Sequence, residues 1–303
     1  MAKVIVLLST YNGKKYIKEQ LDSILSQKGD YELKVIIRDD GSTDETITIL
    51  REYQKKYCNI SVIQGSNIGW MKSFNELLFY AEDADYYAFA DQDDVWMENK
   101  LQKAIEKIKK ECGKNKIILY GSNVIEVDES LKNLDGICSN IKRKEDGLSV
   151  MLNSFALGCT MVFTREAKEL YTSKPKQMKQ VGHDWLLATL CTYFGKTIFD
   201  DNAYIYHRRH EDNASGNLKW KDILKTRGVL FKKGKIGYTV YEELYDGYRE
   251  LLSSEDRKII EDFKNYKISI IAKIRLLLNP RIKKYTLKGT LILKLAILCN
   301  RYV

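Results

Sequence analysis

The segment Tyr86-Tyr-Ala-Phe-Ala-Asp-Gln-Asp-Asp94 joins an apolar run to a cluster of three carboxylates. An apolar run of this length, bounded by polar residues, is typical of a buried strand. Two earlier runs, Val4–Leu8 and Val35–Ile37, also end in polar clusters, and segments with helical spacing of apolar residues separate the three runs. This alternation predicts an α/β fold in which helices flank a mostly parallel, Rossmann-like sheet.

The polar clusters stand where the predicted strands end, at residues 9–12, 39–42 and 91–94. In a parallel sheet the carboxyl ends of the strands lie at one edge, and ligands bind in the crevice outside that edge. We therefore expect the three clusters to line one crevice. Their coincidence is stronger evidence for a binding site than any one cluster.

The charge distribution divides the 303 residues into a body, 1–216, and a helical C-terminal segment, 217–303. The segment has 20 Lys and Arg against 9 Asp and Glu, whereas the body has 30 against 32. Leucines repeat at helical spacing through Leu287–Leu298. A basic helix with an apolar stripe is typical of peripheral binding to an anionic membrane. An ordinary helical subdomain with a solvated basic face is the alternative.

The six cysteines include no CxxC pair, so neither a zinc site nor a disulfide framework is indicated. The chain begins with Met-Ala-Lys and a strand-like run rather than a cleavable signal. It also lacks the ~18 consecutive apolar residues of a spanning helix. We expect a cytoplasmic protein, peripheral at the inner face of the cell membrane, with no nucleic-acid partner.

Two of the polar clusters have chemistry suited to a nucleotide. Asp91 and Asp93, two residues apart after a strand, offer hard oxygen ligands for Mn²⁺ or Mg²⁺, which would neutralise charge on a departing diphosphate. A carboxylate of the cluster that begins at Asp39 is suited to accept the N3–H of a uracil or thymine, and residues 9–12 offer hydroxyls and a ring to stack on the base. Acidic turns and helix caps are the structural alternatives.

The sequence Gly182-His183-Asp184-Trp185 precedes an apolar helix. Asp184 is a candidate general base for a sugar hydroxyl, or else an N-cap of that helix. We place Trp96, His183 and Trp185 on the acceptor side, because an indole offers a stacking face to a sugar ring.

All three histidines lie after residue 182, two of them in His207-Arg208-Arg209-His210. Two arginines between two histidines suit a polyanion clamp or a set of metal ligands. A solvated basic loop is the structural alternative.

Together these segments resemble family 2 glycosyltransferases, whose fold is GT-A, and their wording is most similar to bacterial rhamnosyltransferases of cell-wall and capsular polysaccharide synthesis. The similar segments span residues 1–216, in the family's order. They are Ser-Thr-Tyr-Asn-Gly (9–13), Arg-Asp-Asp-Gly-Ser-Thr-Asp (38–44), Asn-Ile-Gly-Trp-Met-Lys-Ser-Phe (67–74), Asp-Gln-Asp-Asp-Val-Trp (91–96), His-Asp-Trp (183–185) and Arg-Arg-His-Glu-Asp-Asn (208–213).

The resemblance implies a role for each matching position. Asp184 would be the catalytic base, and Asp93 would bind the metal directly, with His210 as a further ligand. Similar enzymes have Tyr-Arg-Gln-His where this chain has residues 207–210, so His207 and His210 are both candidates to face the metal. The residues implied to hold the nucleotide sugar are Ser9, Tyr11, Asp40, Lys72, Asp91 and Arg208.

The function implied is inverting transfer of a sugar, with L-rhamnose from dTDP-L-rhamnose favoured, to a saccharide or lipid-linked acceptor. A UDP-sugar donor carrying galactose, glucose or N-acetylhexosamine is the alternative within the same fold. A nucleotidyltransferase would need a Gly-rich loop and a basic residue after the first strand, and this chain has Ser9-Thr-Tyr-Asn-Gly13 there. A non-enzymatic membrane- or polyanion-binding module remains the third class, because of the basic C-terminal segment.

Overall fold

A computed structural model describes the chain at residues 1–138, 146–174, 181–210 and 240–302. These residues form two compact units. The first comprises residues 1–138, 155–174 and 182–209, and the second comprises 146–154, 181, 210 and 240–302. The predicted boundary between residues 216 and 217 lies outside the described residues. The sequence did not predict that residues 146–154 belong to the second unit.

The strands of the first unit form one sheet. They are β1 (Ala2–Thr10), β2 (Tyr31–Asp39), β3 (Ile60–Gln64), β4 (Tyr86–Ala90), β5 (Val95–Trp96), β6 (Ile118–Val127), β7 (Asn133–Cys138), β8 (Val162–Thr164) and β9 (Lys196–Arg208). Their order is β3-β2-β1-β4-β8-β6-β9-β5, with β7 beside β6. The half β3-β2-β1-β4 is parallel, as predicted, and β6 also pairs with β9 in parallel. Strands β5, β7 and β8 pair in the antiparallel direction.

The α-helices of both units follow the chain order. They are α1 (Ile17–Leu25), α2 (Thr46–Lys56), α3 (Trp70–Tyr80), α4 (Lys100–Glu111), α5 (Gly147–Asn153), α6 (Arg165–Thr172), α7 (His183–Phe194), α8 (Val240–Glu243), α9 (Ser254–Asn265), α10 (Ile270–Leu278) and α11 (Leu287–Leu298). Helices α5 and α8–α11 belong to the second unit.

Burial explains why the central strands read as continuous apolar runs. Every residue of Val4–Leu8 and of Tyr86–Ala90 is buried. A parallel sheet covered by helices on both faces has no solvated side, so its strands lack polar alternation. Helices such as α1 bury one face only, through Ile17, Leu21 and Ile24, which is the spacing that predicted them.

Three segments are less regular than their apolar patterns indicate. The apolar run Ala156–Phe163 is typical of one strand, but the structure has a 3₁₀ turn at Gly158–Thr160 followed by β8. Helical spacing continues through Ser254–Leu278, but the structure has two helices, because the Ser269 side chain accepts the backbone N–H of Ala272 and begins α10. Helical spacing also continues through Tyr238–Leu252, but α8 is followed there by π and 3₁₀ turns.

In the second unit, α10 and α11 pack antiparallel. Lys273 Nζ donates to the Leu298 carbonyl at 3.4 Å, and Lys294 Nζ donates to the Leu277 carbonyl at 2.7 Å. In the described part of the chain, no helix combines the length and the apolar character needed to cross a bilayer.

Candidate functional site

The loops that follow β1 and β2 are joined by hydrogen bonds. The backbone N–H of Asn12 donates to Ser42 Oγ at 2.9 Å, and Asn12 Oδ1 accepts the backbone N–H of Thr43 at 2.8 Å. The backbone N–H of Asp40 donates to the Thr10 carbonyl at 2.8 Å. These bonds hold the first two polar clusters together at the carboxyl edge of the sheet, as predicted.

Asp40 is buried with its carboxylate held in one orientation. The two carboxylate oxygens accept the backbone N–H of Ile68 at 2.9 Å and of Gly69 at 2.8 Å, and Arg38 forms an ion pair with the same group. A carboxylate has about four acceptor positions. Three are used by these donors, so Asp40 retains capacity for one further donor.

Ser9 is connected to the same network through Ser73. The two hydroxyls share a hydrogen bond of 2.6 Å, and Arg38 Nη1 donates to Ser73 Oγ at 3.1 Å. The neighbouring Tyr11 has 43% of its surface exposed. Tyr11 follows Thr10, whose carbonyl accepts the Asp40 backbone N–H, and an exposed tyrosine ring is able to stack on a flat ligand.

Gln92 joins the loop after β1 to the loop after β4. Its Oε1 accepts Thr10 Oγ1 at 2.6 Å and the backbone N–H of Tyr11 at 2.9 Å, and its Nε2 donates to the Tyr11 carbonyl at 3.2 Å. Gln20, on α1, donates to the Asp91 carbonyl at 2.8 Å. Neither glutamine was predicted from the sequence to be a positioning residue. The available signal was Gln92, a neutral residue inside a run of carboxylates.

The acidic cluster after β4 concentrates negative charge. Burial, followed by the charges of Asp94 and Asp93, raises the pKa of Asp91 well above its ordinary value, and Asp184 acts in the same direction. Asp93 and Asp94 are themselves buried. Asp91, in the loop after β4, and Asp184, in α7, therefore influence one another electrostatically although they are distant in sequence.

This cluster fits a divalent cation. Carboxylates that raise one another's pKa are stabilised in their charged form when a cation lies among them. Asp91 and Asp93 offer the hard oxygen ligands that Mn²⁺ and Mg²⁺ take. The fit rests on the donor chemistry and on the repulsion felt at Asp91.

Behind this cluster lies a second set of ligand-type atoms. Asp94, Cys159 and His207 are buried, with ligand atoms within 4.8 Å of one another. His207 Nδ1 lies 2.9 Å from Asp94 Oδ1. Burial lowers the pKa of His207, but the charge and hydrogen bond of Asp94 outweigh it and raise the pKa to about 9. His207 Nε2 has no hydrogen-bond partner among the described residues.

Arg208 ends β9 and is fully buried. Its Nε donates to the Asp93 carbonyl at 2.9 Å, and its Nη2 lies 2.6 Å from Glu19 Oε2. The guanidinium stacks over the Tyr16 ring, with Cζ 4.5 Å from the ring centroid. These contacts hold the backbone at Asp93. The predicted contact of Arg208 with a diphosphate stays a prediction.

Asp184 lies in the first turn of α7 between two glycines. A Cβ at Gly182 would approach Asp184 Oδ1 to 2.7 Å, and one at Gly158 would lie 3.2 Å from Asp184 Cβ. Because Gly158 and Gly182 have no side chains, the Asp184 carboxylate has room beside both backbones. Burial raises the pKa of Asp184, although the backbone N–H of Trp185 opposes the shift. A raised pKa makes the carboxylate a better proton acceptor near neutral pH.

Two of the three acceptor-side predictions need correction. Trp96 is 3% exposed, and Lys100 Nζ covers its ring 3.6 Å from the centroid, so Trp96 is part of the core. His183 is buried against Phe74 and Phe89, and burial lowers its pKa to about 3. Neither ring offers a surface to a sugar. Trp185 is half-buried, and its acceptor contact stays a prediction.

The remaining predicted residues lie at the ends of elements. Lys72 is exposed in the first turn of α3, three residues after Gly69. His210 is half-buried and belongs to the second unit, and its role as a metal ligand stays a prediction. Trp70, which the sequence analysis did not single out, is 40% exposed, and its ring would lie 3.7 Å from a Cβ at Gly182.

A mixed sheet whose parallel half carries buried carboxylates at its carboxyl edge has the architecture of the GT-A fold. Comparison with known proteins specifies the family. Residues 5–167 match the model of glycosyl transferase family 2, and the chain belongs to that family.

A relative in sequence supports this assignment, and two solved structures share the fold. The chain is 31% identical to "dTDP-rhamnosyl transferase RfbG" of Shigella flexneri over 239 residues, which are 75% of this chain and 80% of the relative. The structure of S. aureus TarS 1-349 in complex with UDP-GlcNAc is similar, with a TM-score of 0.56 and 21% identity over 92% of this chain and 76% of that chain. The mannosyltransferase PcManGT from Pyrobaculum calidifontis, in complex with GDP-Man and Mn²⁺, has a TM-score of 0.51 and 16% identity, and the match covers 98% of this chain and 85% of that chain.

Proposed function

We propose that this glycosyltransferase inverts the anomeric centre of a nucleoside diphosphate sugar as it transfers the sugar to a hydroxyl. The observation that carries the proposal is the electrostatic influence of Asp93, Asp94 and Asp184 on Asp91. Acidic groups from the loop after β4 and from α7 are therefore close enough to influence one another, as a site that binds a diphosphate and activates a hydroxyl requires.

The nucleotide base would occupy the space beside Asp40. Its remaining acceptor position takes the N3–H of thymine or uracil, and the ring of Tyr11 stacks on the base. Ser9 completes this pocket from β1. Lys72 and Arg208 stay the candidates for the donor phosphates.

Asp91 and Asp93 would hold Mn²⁺ or Mg²⁺, with His210 and His207 as candidates for a further ligand. When bound, the cation neutralises charge on the diphosphate leaving group. The protein's own contribution is to hold Asp93 through the bond from Arg208 to its carbonyl.

Asp184 would act as the general base. In a single displacement, the acceptor oxygen bonds to the anomeric carbon, the bond from that carbon to the diphosphate oxygen breaks, and the acceptor proton moves to Asp184. Attack from the face opposite the diphosphate inverts the centre. Trp185, next to this carboxylate in sequence, and Trp70, which like Asp184 lies close to Gly182, would offer stacking faces to the acceptor sugar.

The donor we favour is dTDP-L-rhamnose, with support from the Shigella relative, which is a dTDP-rhamnosyl transferase. A UDP-sugar is the alternative, since the TarS structure holds UDP-GlcNAc. The acceptor we propose is a saccharide or lipid-linked saccharide of surface polysaccharide synthesis, used at the inner face of the cell membrane.

A donor screen tests this function. The purified protein is incubated with dTDP- and UDP-sugars, with and without Mn²⁺, and the nucleotide products are separated by chromatography. Release of nucleoside diphosphate that depends on metal and on Asp184, and is unchanged in the exposed control Asp30→Asn, is the expected result. Release of pyrophosphate would identify a nucleotidyltransferase instead, and no release from any donor contradicts the proposal.

A further inference from the structure

Helices α10 and α11 and their flanking residues expose an unusual amount of apolar surface. Of the 16 large apolar side chains that are exposed in the described residues, nine lie between residues 268 and 298. We call these nine the apolar face. They are Ile268, Ile270, Ile271, Ile274, Leu278, Leu287, Leu291, Ile292 and Leu298. Single exposed apolar residues are ordinary, but a concentration of this kind marks an interaction surface.

The α11 helix is apolar on both of its sides, so the prediction of a single apolar stripe opposite a polar face was wrong. It buries Leu293, Ala296 and Ile297, yet Leu287 is 92% exposed and Leu291 is 62% exposed. A helix at a protein–water boundary normally turns polar residues to the solvent. The exposed side of α11 is therefore suited to a medium less polar than water.

The dimensions of α10 and α11 favour an orientation along the surface of a bilayer rather than across it. The 12 residues of α11 reach about 18 Å, against roughly 30 Å for the hydrocarbon core. Lys273 and Lys294 each donate to a carbonyl of the opposite helix, which keeps the two helices side by side. Helices that are too short to span the hydrocarbon core but expose apolar side chains are suited to partial insertion at the headgroup boundary.

The charge of the same segment specifies the lipid. From residue 263 to residue 303 the sequence holds 10 Lys and Arg and no Asp or Glu. Lys267, Lys283 and Lys288 lie exposed close in sequence to members of the apolar face. A protein partner of matching composition would have to be both apolar and acidic, whereas a bilayer with anionic headgroups supplies both properties in one surface.

We infer that the apolar face docks on an anionic membrane, with its isoleucines and leucines among the acyl chains and the nearby lysines at the headgroups. This inference deepens the proposed function, since a lipid-linked acceptor would be met at that surface. Binding itself requires neither the donor nor a functioning Asp184.

Vesicle co-sedimentation of the full chain tests the inference. The vesicles contain phosphatidylcholine alone or with 30% phosphatidylglycerol. We expect binding to the anionic vesicles and at least tenfold weaker binding to the neutral ones. Each basic residue near the surface contributes about 1 kcal/mol. Lys267→Gln, Lys283→Gln and Lys288→Gln together should therefore weaken anionic-vesicle binding on the order of 100-fold.

A second variant removes apolar contacts and retains charge. Ile274→Gln, Leu278→Gln, Leu287→Gln and Leu291→Gln together should abolish measurable binding, because burial of each side chain is lost. These positions are exposed, so the circular dichroism spectrum and melting temperature should match the wild type.

The matched controls change the same residue types elsewhere. Lys18→Gln, Lys55→Gln and Lys56→Gln form the charge control, and Leu251→Gln with Leu157→Gln forms the apolar control. Both should bind like the wild type. Wild-type binding to neither vesicle, or equal loss in the test and control variants, overturns the inference. A wild-type dimer that becomes monomeric in the four-residue apolar variant also overturns it, by assigning the apolar face to a second copy of the chain.

Discussion

Replacing Asp184 with Asn separates catalysis from structure at this site. The amide has the same shape and retains an oxygen for the backbone N–H of Trp185, which donates to Asp184 Oδ1 at 2.8 Å. It lacks the ability to take a proton. Loss of a general base lowers turnover by about 10²–10⁴-fold, or about 2.7–5.5 kcal/mol of transition-state stabilisation.

The structure predicts little effect of this change on folding. Burial disfavours the charged form of Asp184, so a neutral amide in the same space removes an unfavourable term. The free energy of unfolding in urea should fall by no more than about 1 kcal/mol. Donor affinity should also stay within about threefold, because Asp184 is assigned to the acceptor and not to the nucleotide.

The assay is steady-state release of nucleoside diphosphate at saturating donor and acceptor, for the wild type, Asp184→Asn and the exposed control Asp30→Asn. The control should have wild-type turnover. An Asp184→Asn enzyme with more than a third of wild-type turnover refutes the base assignment. So does a variant that folds but loses donor binding, because that result places Asp184 at the nucleotide.

Three other results are expected. The acid side of the pH profile of kcat/KM should have a midpoint above 3.8, the ordinary pKa of aspartate, because burial raises the pKa of Asp184. An Asp184→Asn enzyme whose profile falls at the same acid midpoint as the wild type would contradict this prediction. Asp40→Ala should lower the free energy of unfolding in urea by about 3–5 kcal/mol, because buried Arg38 loses its anionic partner; a loss below about 1 kcal/mol argues against a buried pair. Between pH 6.5 and about 9, the free energy of unfolding should decrease more in the wild type than in His207→Gln. Burial alone would lower the folded-state pKa of His207, but Asp94 raises it to about 9, so the stabilisation is lost as the histidine deprotonates over this range. Parallel stability profiles of the two proteins would contradict this prediction.

The parallel half of the sheet was predictable because its strands are buried on both faces. A run such as Val4–Leu8 has no solvent-facing positions, so composition alone marks it as a strand. The polar clusters after these strands were predictable because composition changes abruptly there, although side chains such as Asp40 and Asp93 are themselves buried. The fold class and the meeting of the clusters at one edge therefore followed from a local pattern.

Strand β9 was missed because its sequence is polar. Asp200, Asp201 and Asn202 interrupt it, and its pairing with β6 shifts register near Asn123. Asp200 is nevertheless buried and satisfied, because Lys107 and Tyr120 bind its carboxylate. Contacts with residues of distant elements stabilise this strand, and the local sequence pattern does not indicate those contacts.

The aromatic residues show the same limit at the site. Trp96 and His183 stand beside acidic residues in the sequence, which suggested a contact with the sugar. In the fold both rings point into the core, whereas Trp70 is 40% exposed near Asp184. Sequence proximity to a functional carboxylate does not fix the direction of a side chain, because adjacent residues of a helix or strand face different sides.

The most direct test of the account is calorimetric titration of dTDP and UDP into the wild type, Asp93→Asn and Asp184→Asn, with and without Mn²⁺. We expect metal-dependent binding of at least one nucleotide by the wild type. We also expect at least tenfold weaker binding by Asp93→Asn and unchanged binding by Asp184→Asn. Equal affinity in all three proteins, or no binding of either nucleotide by the wild type, would contradict a shared site for cation and nucleotide at the carboxyl edge of the sheet.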